Sequence, residues 1–168
     1  MDLNNVILIA YDFDGVMTDN NVYLDENGKE MVKTNRSDGL AIELIKNLGI
    51  DQVIISSEKN PIVRKRAKKV GIECINGVKD KAETLKVYID NKNIKLAEVA
   101  FIGNDINDLE VMKIVGLSIA PNDAHKNIKK IAGLIAKSNG GKGVVREIYD
   151  LIILNKQKEN LWMVYLLL

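Results

Sequence analysis

The chain has 168 residues, 46% of them hydrophobic and 28% charged, a composition typical of one folded domain that excludes disordered and collagen-like classes. With 24 Lys and Arg against 23 Asp and Glu the net charge is +1, so no nucleic-acid partner is expected. A single cysteine, Cys74, and the absence of secretory-signal features in the first residues predict a cytoplasmic protein. No apolar run reaches the roughly 20 residues of a bilayer span, so no membrane partner is expected.

Short apolar, β-branched runs alternate with amphipathic segments along the chain. The runs predict strands at 6–11, 52–56, 72–75, 99–103 and 116–120. Helical spacing of apolar residues predicts helices at 39–49, 60–71, 80–92, 107–116 and 142–156. This alternation is typical of βαβ units and predicts an α/β fold with a Rossmann-like, doubly wound parallel sheet.

One segment interrupts the alternation. Residues 20–34 contain two strand-like runs around Glu26-Asn27-Gly28, which is a strong hairpin-turn signal. We therefore predict a β-hairpin flap after the first strand. We expect one domain over residues 1–156, followed by an apolar C-terminal tail at 157–168 whose last residues, LWMVYLLL, need a surface to pack against.

The first predicted strand leads directly into two acids, Asp12 and Asp14. Alternate residues of an extended segment share a face, so both carboxylates project into one crevice and repel each other unless a cation or a phosphoryl group uses them. Doubly wound sheets place their sites at the carboxyl ends of their strands. Two solvated carboxylates in a turn are the simpler interpretation, which the apolar strand ahead of them disfavours.

The segment DFDGVMTD at 12–19 resembles the first motif of the haloacid dehalogenase superfamily, DxDx(V/T), and the later motifs follow in order. Ser56 matches the Ser/Thr of the second motif, at the end of the second strand. Lys81 matches the lysine of the third motif; Lys79 is the weaker candidate, because the pattern places its lysine directly after Asp. GNDINDLEVM at 103–112 matches the acidic fourth motif. The resemblance implies the haloacid dehalogenase fold.

More closely, the chain resembles the capless phosphatase subgroup that includes 3-deoxy-octulosonate 8-phosphate phosphatases and sialate-type 9-phosphate phosphatases. The hairpin, the helix start SDGLAI at 37–42 and the segment GGKGVVREIYDLII at 140–153 carry this resemblance, which extends from about residue 6 to 154. It implies a Mg²⁺-dependent phosphatase without a cap domain that hydrolyses the phosphate monoester of a sugar acid, in lipopolysaccharide or sialic acid biosynthesis.

The resemblance also implies catalytic roles that agree with the chemistry of the residues. Asp12 is expected to attack phosphorus and form an aspartyl phosphate, while Asp14 protonates the leaving alkoxide and later takes a proton from water. Ser56 and Lys81 are expected to bind the phosphoryl oxygens.

Mg²⁺ prefers carboxylate and carbonyl oxygens. The expected ligands are the Asp12 carboxylate, the Asp14 backbone carbonyl and a side chain of the fourth motif. Where the family usually carries a ligating Asp after Gly, this chain has Asn104, followed by Asp105. We assign Asn104 and Asp105 to the metal and Asp108 to support of the site.

Substrate contacts are expected from two regions. Ser57 and Glu58 follow the second strand, where octulosonate phosphatases typically carry Thr-Gly-Arg. An Arg would pair with the substrate carboxylate, whereas Glu accepts hydrogen bonds from sugar hydroxyls, so Glu58 favours a nine-carbon acid phosphate. The oligomers of the family imply a homotetramer in which Gly140, Gly141 and Arg146 reach the site of a neighbouring subunit.

Two other classes remain open. A phospho-aspartate receiver-like domain also uses an acidic strand end, a Ser/Thr and a Lys, although its acidic pair and their order differ. A noncatalytic oligomerisation module associated with sugar-acid cytidylyltransferase activity would share the fold. The presence of both Asp12 and Asp14 argues against the second class.

Overall fold

The computed structural model describes residues 3–166, with side chains as far as residue 158. Its strands are β1 (Leu8–Tyr11), β2 (Thr18–Leu24), β3 (Glu30–Thr34), β4 (Asp51–Ser56), β5 (Glu73–Asn76), β6 (Val99–Ile102), β7 (Leu117–Ala120) and β8 (Leu134–Ile135). Its helices are α1 (Arg36–Asn47), α2 (Ile62–Val70), α3 (Lys81–Asp90), α4 (Leu109–Ile114), α5 (Lys126–Ile131) and α6 (Val144–Leu166). Short 3₁₀ turns at Leu96–Glu98 and Ile106–Asp108 precede β6 and α4.

Six strands form one parallel sheet in the order β5-β4-β1-β6-β7-β8. The chain first adds β4 and β5 on one side of β1, and then β6, β7 and β8 on the other. The direction of winding therefore reverses beside β1, and a crevice opens there at the carboxyl ends of the strands. The predicted doubly wound α/β fold is confirmed, and residues 3–166 contain no cap domain.

Apolar side chains cover both faces of the sheet. Alternate residues of β1 point to opposite faces: Ile9 and Tyr11 join the buried cluster that contains residues of α1 and α6, whereas Leu8 and Ala10 join the cluster that contains residues of α3 and α4. Burial on both faces explains why the predicted strands are nearly continuous apolar runs.

The predicted hairpin is confirmed. Strands β2 and β3 pair antiparallel in a separate two-stranded sheet. The Asn27-Gly28 turn has Gly28 at φ +74°, a left-handed conformation that glycine adopts without strain. Val32 packs against the main core, but most of the hairpin is exposed.

The largest differences from the predicted elements lie in the C-terminal third. The short elements α5 and β8 were not predicted. Helix α6 continues to Leu166, so the predicted boundary at residue 156 falls inside a helix. The prediction that residues 161–168 pack against a surface concerns side chains outside the described residues. Among the described helices, none combines the length and apolarity needed to cross a bilayer.

Candidate active site

The loop after β1 carries Asp12 and Asp14 to the carboxyl edge of the sheet. The Asp12 N–H donates to a carbonyl of β6 at 2.9 Å, and the chain then turns back through hydrogen bonds to the Phe13 carbonyl. Gly15 has φ +76°, and a Cβ at this position would overlap the side chain of Asn104. Glycine is therefore needed for this loop to meet the loop after β6.

Lys81, the first residue of α3, supplies the cation of the site. Its Nζ lies 2.8 Å from Asp12 Oδ1 and 2.6 Å from Asp108 Oδ1, and all three side chains are buried. Burial alone would lower the pKa of Lys81, but the charges and hydrogen bonds of Asp12 and Asp108 outweigh it and raise that pKa. Lys79, the weaker candidate for this role, is exposed.

The Asp12 carboxyl group is held from two sides. Burial and then the charge of Asp108 raise the pKa of Asp12 to about 7, against the opposing effect of Lys81. Oδ1 accepts the Phe13 N–H at 2.7 Å in addition to the Lys81 contact. Oδ2 lies on the side of the Asn104 amide, with one terminal amide atom 3.3 Å away.

Asn104 and Asp108 link the loop after β6 to this pair. Asp108 Oδ2 accepts the N–H groups of Asn104 (2.9 Å) and Asp105 (3.3 Å), which fixes the backbone of the loop. The terminal amide atom of Asn104 that faces Asp12 also lies 2.8 Å from the Asp14 carbonyl oxygen. Three polar groups from two loops therefore converge on one point.

The convergence fits a hard cation. With the amide oxygen of Asn104 turned inward, three oxygen acceptors face one another without a hydrogen-bond donor: this oxygen, Asp12 Oδ2 and the Asp14 carbonyl. Mg²⁺ would stabilise such a set while it keeps several waters. With its nitrogen turned inward, the same amide donates to both oxygens. The described part of the chain has no cluster of three His, Cys, Asp or Glu side chains able to hold a metal, so this set would depend on an amide and a carbonyl.

Asp105, predicted as a second metal ligand of the fourth motif, is not among the groups that converge beside Asp12. Its side chain is exposed, and its Oδ1 accepts the Ile106 N–H at 2.7 Å, which caps the 3₁₀ turn at Ile106–Asp108. Because Asn104 and Asp105 are adjacent in the motif, the sequence does not show which of the two side chains faces Asp12. The structure brings Asn104, and not Asp105, beside Asp12.

Asp14 has the environment of a proton donor. Burial raises its pKa, and the nearby charges of Glu58 and Glu30 raise it further, whereas a hydrogen bond from Thr18 Oγ1 (3.3 Å) opposes the shift. The carboxyl group of Asp14 therefore keeps a proton to higher pH than an ordinary aspartate. The sequence analysis did not single out Thr18, although it lies in the first-motif segment at 12–19, or Glu30, which belongs to none of the motifs.

These groups surround a cleft of about 260 Å³, lined by Asp12, Asp14, Ser56, Ser57, Glu58 and Asn107. Ser56 is buried at the end of β4, and its Oγ accepts the Glu58 N–H at 3.1 Å, which leaves the hydroxyl hydrogen free to donate. Asn107 was not predicted as a site residue. The one signal for it in the sequence is its place inside the fourth motif. A larger groove of about 510 Å³ lies between α1 and α2, and none of these groups lines it.

Gly140 and Gly141, predicted to reach the site of a neighbouring subunit, make close contacts within their own chain. A Cβ on Gly140 would lie 2.3 Å from the Gly15 carbonyl oxygen, and the Gly141 N–H donates to Val16 O at 2.9 Å. They therefore support the Asp14 loop of their own chain and are absent from the lining of the cleft. The Arg146 side chain also lies outside that lining, because its Nε pairs with Asp150 Oδ1 at 3.1 Å on α6.

A parallel sheet with paired aspartates, a serine and a buried lysine at one edge defines an enzyme of phosphoryl-transfer type. Residues 45–148 match the family model described as haloacid dehalogenase-like hydrolase. The chain therefore belongs to that hydrolase family, as its motifs predicted.

The chain is 35% identical over 155 residues to the 3-deoxy-D-manno-octulosonate 8-phosphate phosphatase KdsC of Yersinia pestis, covering 92% of this chain and 83% of that protein. The crystal structure of the Yersinia pestis phosphatase matches with a TM-score of 0.87 at 35% identity over 92% of this chain and 84% of that chain. A Moraxella catarrhalis phosphatase of the same name, 28% identical with a TM-score of 0.87 over 96% of this chain and 94% of that chain, was solved with magnesium, phosphate and KDO. The prediction of a phosphatase is confirmed, and the magnesium of the Moraxella catarrhalis structure agrees with the predicted cofactor.

The pKa of Asp12 makes Mg²⁺ affinity depend on pH. A proton on Asp12 competes with the metal, so affinity should fall by about tenfold per pH unit below about pH 7 and level off above it. Calorimetric titration at about pH 6, 7 and 8 measures this, and proton release at the lowest pH should accompany binding. Equal Mg²⁺ affinity at all three values would contradict the raised pKa.

The position of Asn104 predicts the effect of an added charge. Asn104→Asp should tighten Mg²⁺ binding by about tenfold, because it adds an anionic oxygen beside the Asp14 carbonyl. Asn107→Asp is the matched control, since it places the same charge in the lining of the cleft at another point. Equal half-saturating Mg²⁺ in Asn104→Asp and the unaltered protein would remove Asn104 from the ligand set. Equal gains in both variants would assign the effect to net charge alone.

Proposed function

We propose that the chain hydrolyses the phosphate monoester of a sugar acid of the 3-deoxy-octulosonate type, through an aspartyl phosphate on Asp12. The observation that carries the proposal is the buried Lys81 ammonium between Asp12 and Asp108, next to a cleft that Asp12, Asp14 and Ser56 line. The curated relatives, phosphatases of 3-deoxy-D-manno-octulosonate 8-phosphate at 34–35% identity, support the substrate class.

In the first step the Asp12 carboxylate attacks phosphorus and the ester oxygen leaves with the sugar. Lys81 has three N–H donors, of which Asp12 and Asp108 accept two, so the third is available to a phosphoryl oxygen. The free hydroxyl hydrogen of Ser56 is a second donor to the phosphoryl group. Mg²⁺ held by Asp12 Oδ2, the Asp14 carbonyl and Asn104 would supply further positive charge to the phosphoryl oxygens as Asp12 attacks phosphorus.

Asp14 moves the protons of the reaction. Burial raises the pKa of Asp14, which favours the protonated carboxyl group that donates to the departing sugar alkoxide. The resulting carboxylate then takes a proton from the water that attacks the aspartyl phosphate. Thr18, whose hydroxyl donates to Asp14 Oδ1, orients the carboxyl group for both transfers.

A nine-carbon acid phosphate is the second candidate substrate. Glu58 lines the cleft, and its Oε1 accepts the Asn60 N–H at 2.7 Å. A carboxylate at this place accepts hydrogen bonds from sugar hydroxyls and repels a substrate carboxylate that an Arg would bind. This residue favours the longer sugar, whereas the relatives favour the shorter one.

We also propose a homotetramer in which the hairpins pack together. Four apolar side chains of the hairpin are more than half exposed, namely Val22, Tyr23, Leu24 and Met31. Exposed apolar side chains beside unpaired strand edges favour packing against further copies. The ion pair between Arg146 and Asp150 is largely exposed and contributes little to stability. Arg146 can therefore leave Asp150 and reach the active site of a neighbouring subunit.

Phosphate release with Mg²⁺ tests the function. We expect kcat/KM for 3-deoxy-octulosonate 8-phosphate to exceed that for nine-carbon acid phosphates and for simple hexose phosphates. Asp12→Asn should lower kcat by at least about a thousandfold, because an amide cannot attack phosphorus. The matched control is Asp105→Asn, which changes an exposed cap outside the lining of the cleft. Substantial activity in Asp12→Asn would refute the covalent mechanism, and a clear preference for a nine-carbon substrate would favour the second candidate.

Light scattering tests the assembly. Leu24→Lys, in the exposed face of the hairpin, should shift the protein from tetramer to smaller species. Leu40→Lys, on the exposed face of α1, is the matched control and should leave the mass unchanged. A monomeric unaltered protein with full activity would end the proposal. If sites are shared, inactive Asp12→Asn subunits mixed with Arg146→Ala subunits should regain partial activity.

A further inference from the structure

The outer part of the hairpin has one polar connection to the rest of the described chain. Glu30 Oε2, at the start of β3, accepts a hydrogen bond from Asn60 Nδ2 at 2.8 Å. The other hydrogen bonds of residues 20–32 run within the hairpin or to Thr18 and Asp19 at its base. The position of the hairpin relative to the sheet therefore depends strongly on this contact, which we term the Glu30–Asn60 tie.

The segment that holds Asn60 is itself rigid. Asn60 Oδ1 accepts the Ile62 N–H at 3.0 Å, at the beginning of α2, while its own N–H donates to Glu58 Oε1 at 2.7 Å. With the amide oxygen and the backbone N–H both occupied, the Nδ2 group is oriented toward the hairpin. Two hydrogen bonds within its own segment therefore hold Asn60 in the orientation that meets Glu30.

The same segment forms one wall of the catalytic cleft. Ser56, Ser57 and Glu58 line that wall, and Asn60 follows two residues after Glu58. Asn60 donates both to Glu58, which lines the cleft, and to Glu30, so the tied end of the hairpin is held beside this wall. The tie therefore sets the distance between the hairpin and this wall.

We infer that the Glu30–Asn60 tie positions the hairpin as the second wall of a channel for the sugar part of the substrate, which makes Glu30 and Asn60 specificity-determining positioning residues. This inference rests on the proposed hydrolysis of a sugar-acid phosphate. The phosphoryl group reacts beside Asp12 and Lys81 and does not reach the tie. A long polyhydroxylated substrate extends between the two walls, whereas a small aryl phosphate depends only on the residues around the phosphoryl group.

Reversal of the hydrogen bond isolates this effect. Asn60→Asp keeps the oxygen that caps Ile62 but turns a carboxylate toward Glu30, so the tie breaks by repulsion. In the Asn60→Asp background, Glu30→Gln restores the hydrogen bond in the opposite direction. The side chain at position 30 is then the donor and the side chain at position 60 is the acceptor. Asn27→Asp, in the exposed hairpin turn, is the matched control for the added charge.

Steady-state kinetics on 3-deoxy-octulosonate 8-phosphate and on p-nitrophenyl phosphate provide the readout. Asn60→Asp should raise KM for the sugar phosphate by about three- to tenfold with little change in kcat, and the double variant should recover most of the loss. KM for p-nitrophenyl phosphate should stay within about twofold in all variants. An equal rise for both substrates, or no rise for either, would overturn the inference.

Hydrogen exchange separates this test from that of the proposed function. Asn60→Asp without substrate should speed amide exchange in residues 20–32, and the double variant should slow it again. Unchanged exchange in Asn60→Asp would overturn the tie. If the unaltered protein hydrolyses p-nitrophenyl phosphate but no sugar-acid phosphate, the proposed substrate fails, and the exchange data still decide whether the tie holds the hairpin.

Discussion

The buried ammonium of Lys81 is the interaction on which the site depends. Asp12 and Asp108 bring two carboxylates into a region with almost no solvent, and the cation between them compensates their charge. Loss of one partner from such a cluster costs on the order of 3–5 kcal/mol, because a charge is left without compensation. Asp108 in turn holds the backbone N–H of Asn104, so the lysine fixes the loops after β1 and β6 together.

Much of this arrangement was predictable from the sequence. Buried parallel strands leave nearly continuous apolar runs, and the residues after those runs are the ones that meet at the sheet edge. Asp12, Asp14 and Ser56 follow from that rule, and all three line the cleft. Lys81 was separated from Lys79 by its place after an Asp, and Asp80 proves to be the N-cap of α3, which starts the helix at the buried lysine.

Other features depend on contacts between distant segments, which local patterns do not encode. Whether Asn104 or Asp105 faces Asp12 is decided by the 3₁₀ turn that Asp105 caps. Gly140 and Gly141 pack against the loop that carries Asp14, more than 120 residues earlier in the chain. The hydrogen bond between Glu30 and Asn60 joins the hairpin to the segment between β4 and α2, and no periodicity signals it.

We propose that the buried lysine holds Asp12 as the nucleophile while Asp14 donates and accepts the protons. Rapid mixing of the protein with Mg²⁺ and substrate, followed by acid quenching, proteolysis and mass spectrometry, tests it most directly. The account predicts a transient phosphoryl group on the peptide that contains both aspartates, localised to Asp12 by fragmentation and absent in Asp12→Asn. A phosphoryl group on Asp14, or steady turnover in which Asp12 is never modified, would contradict it.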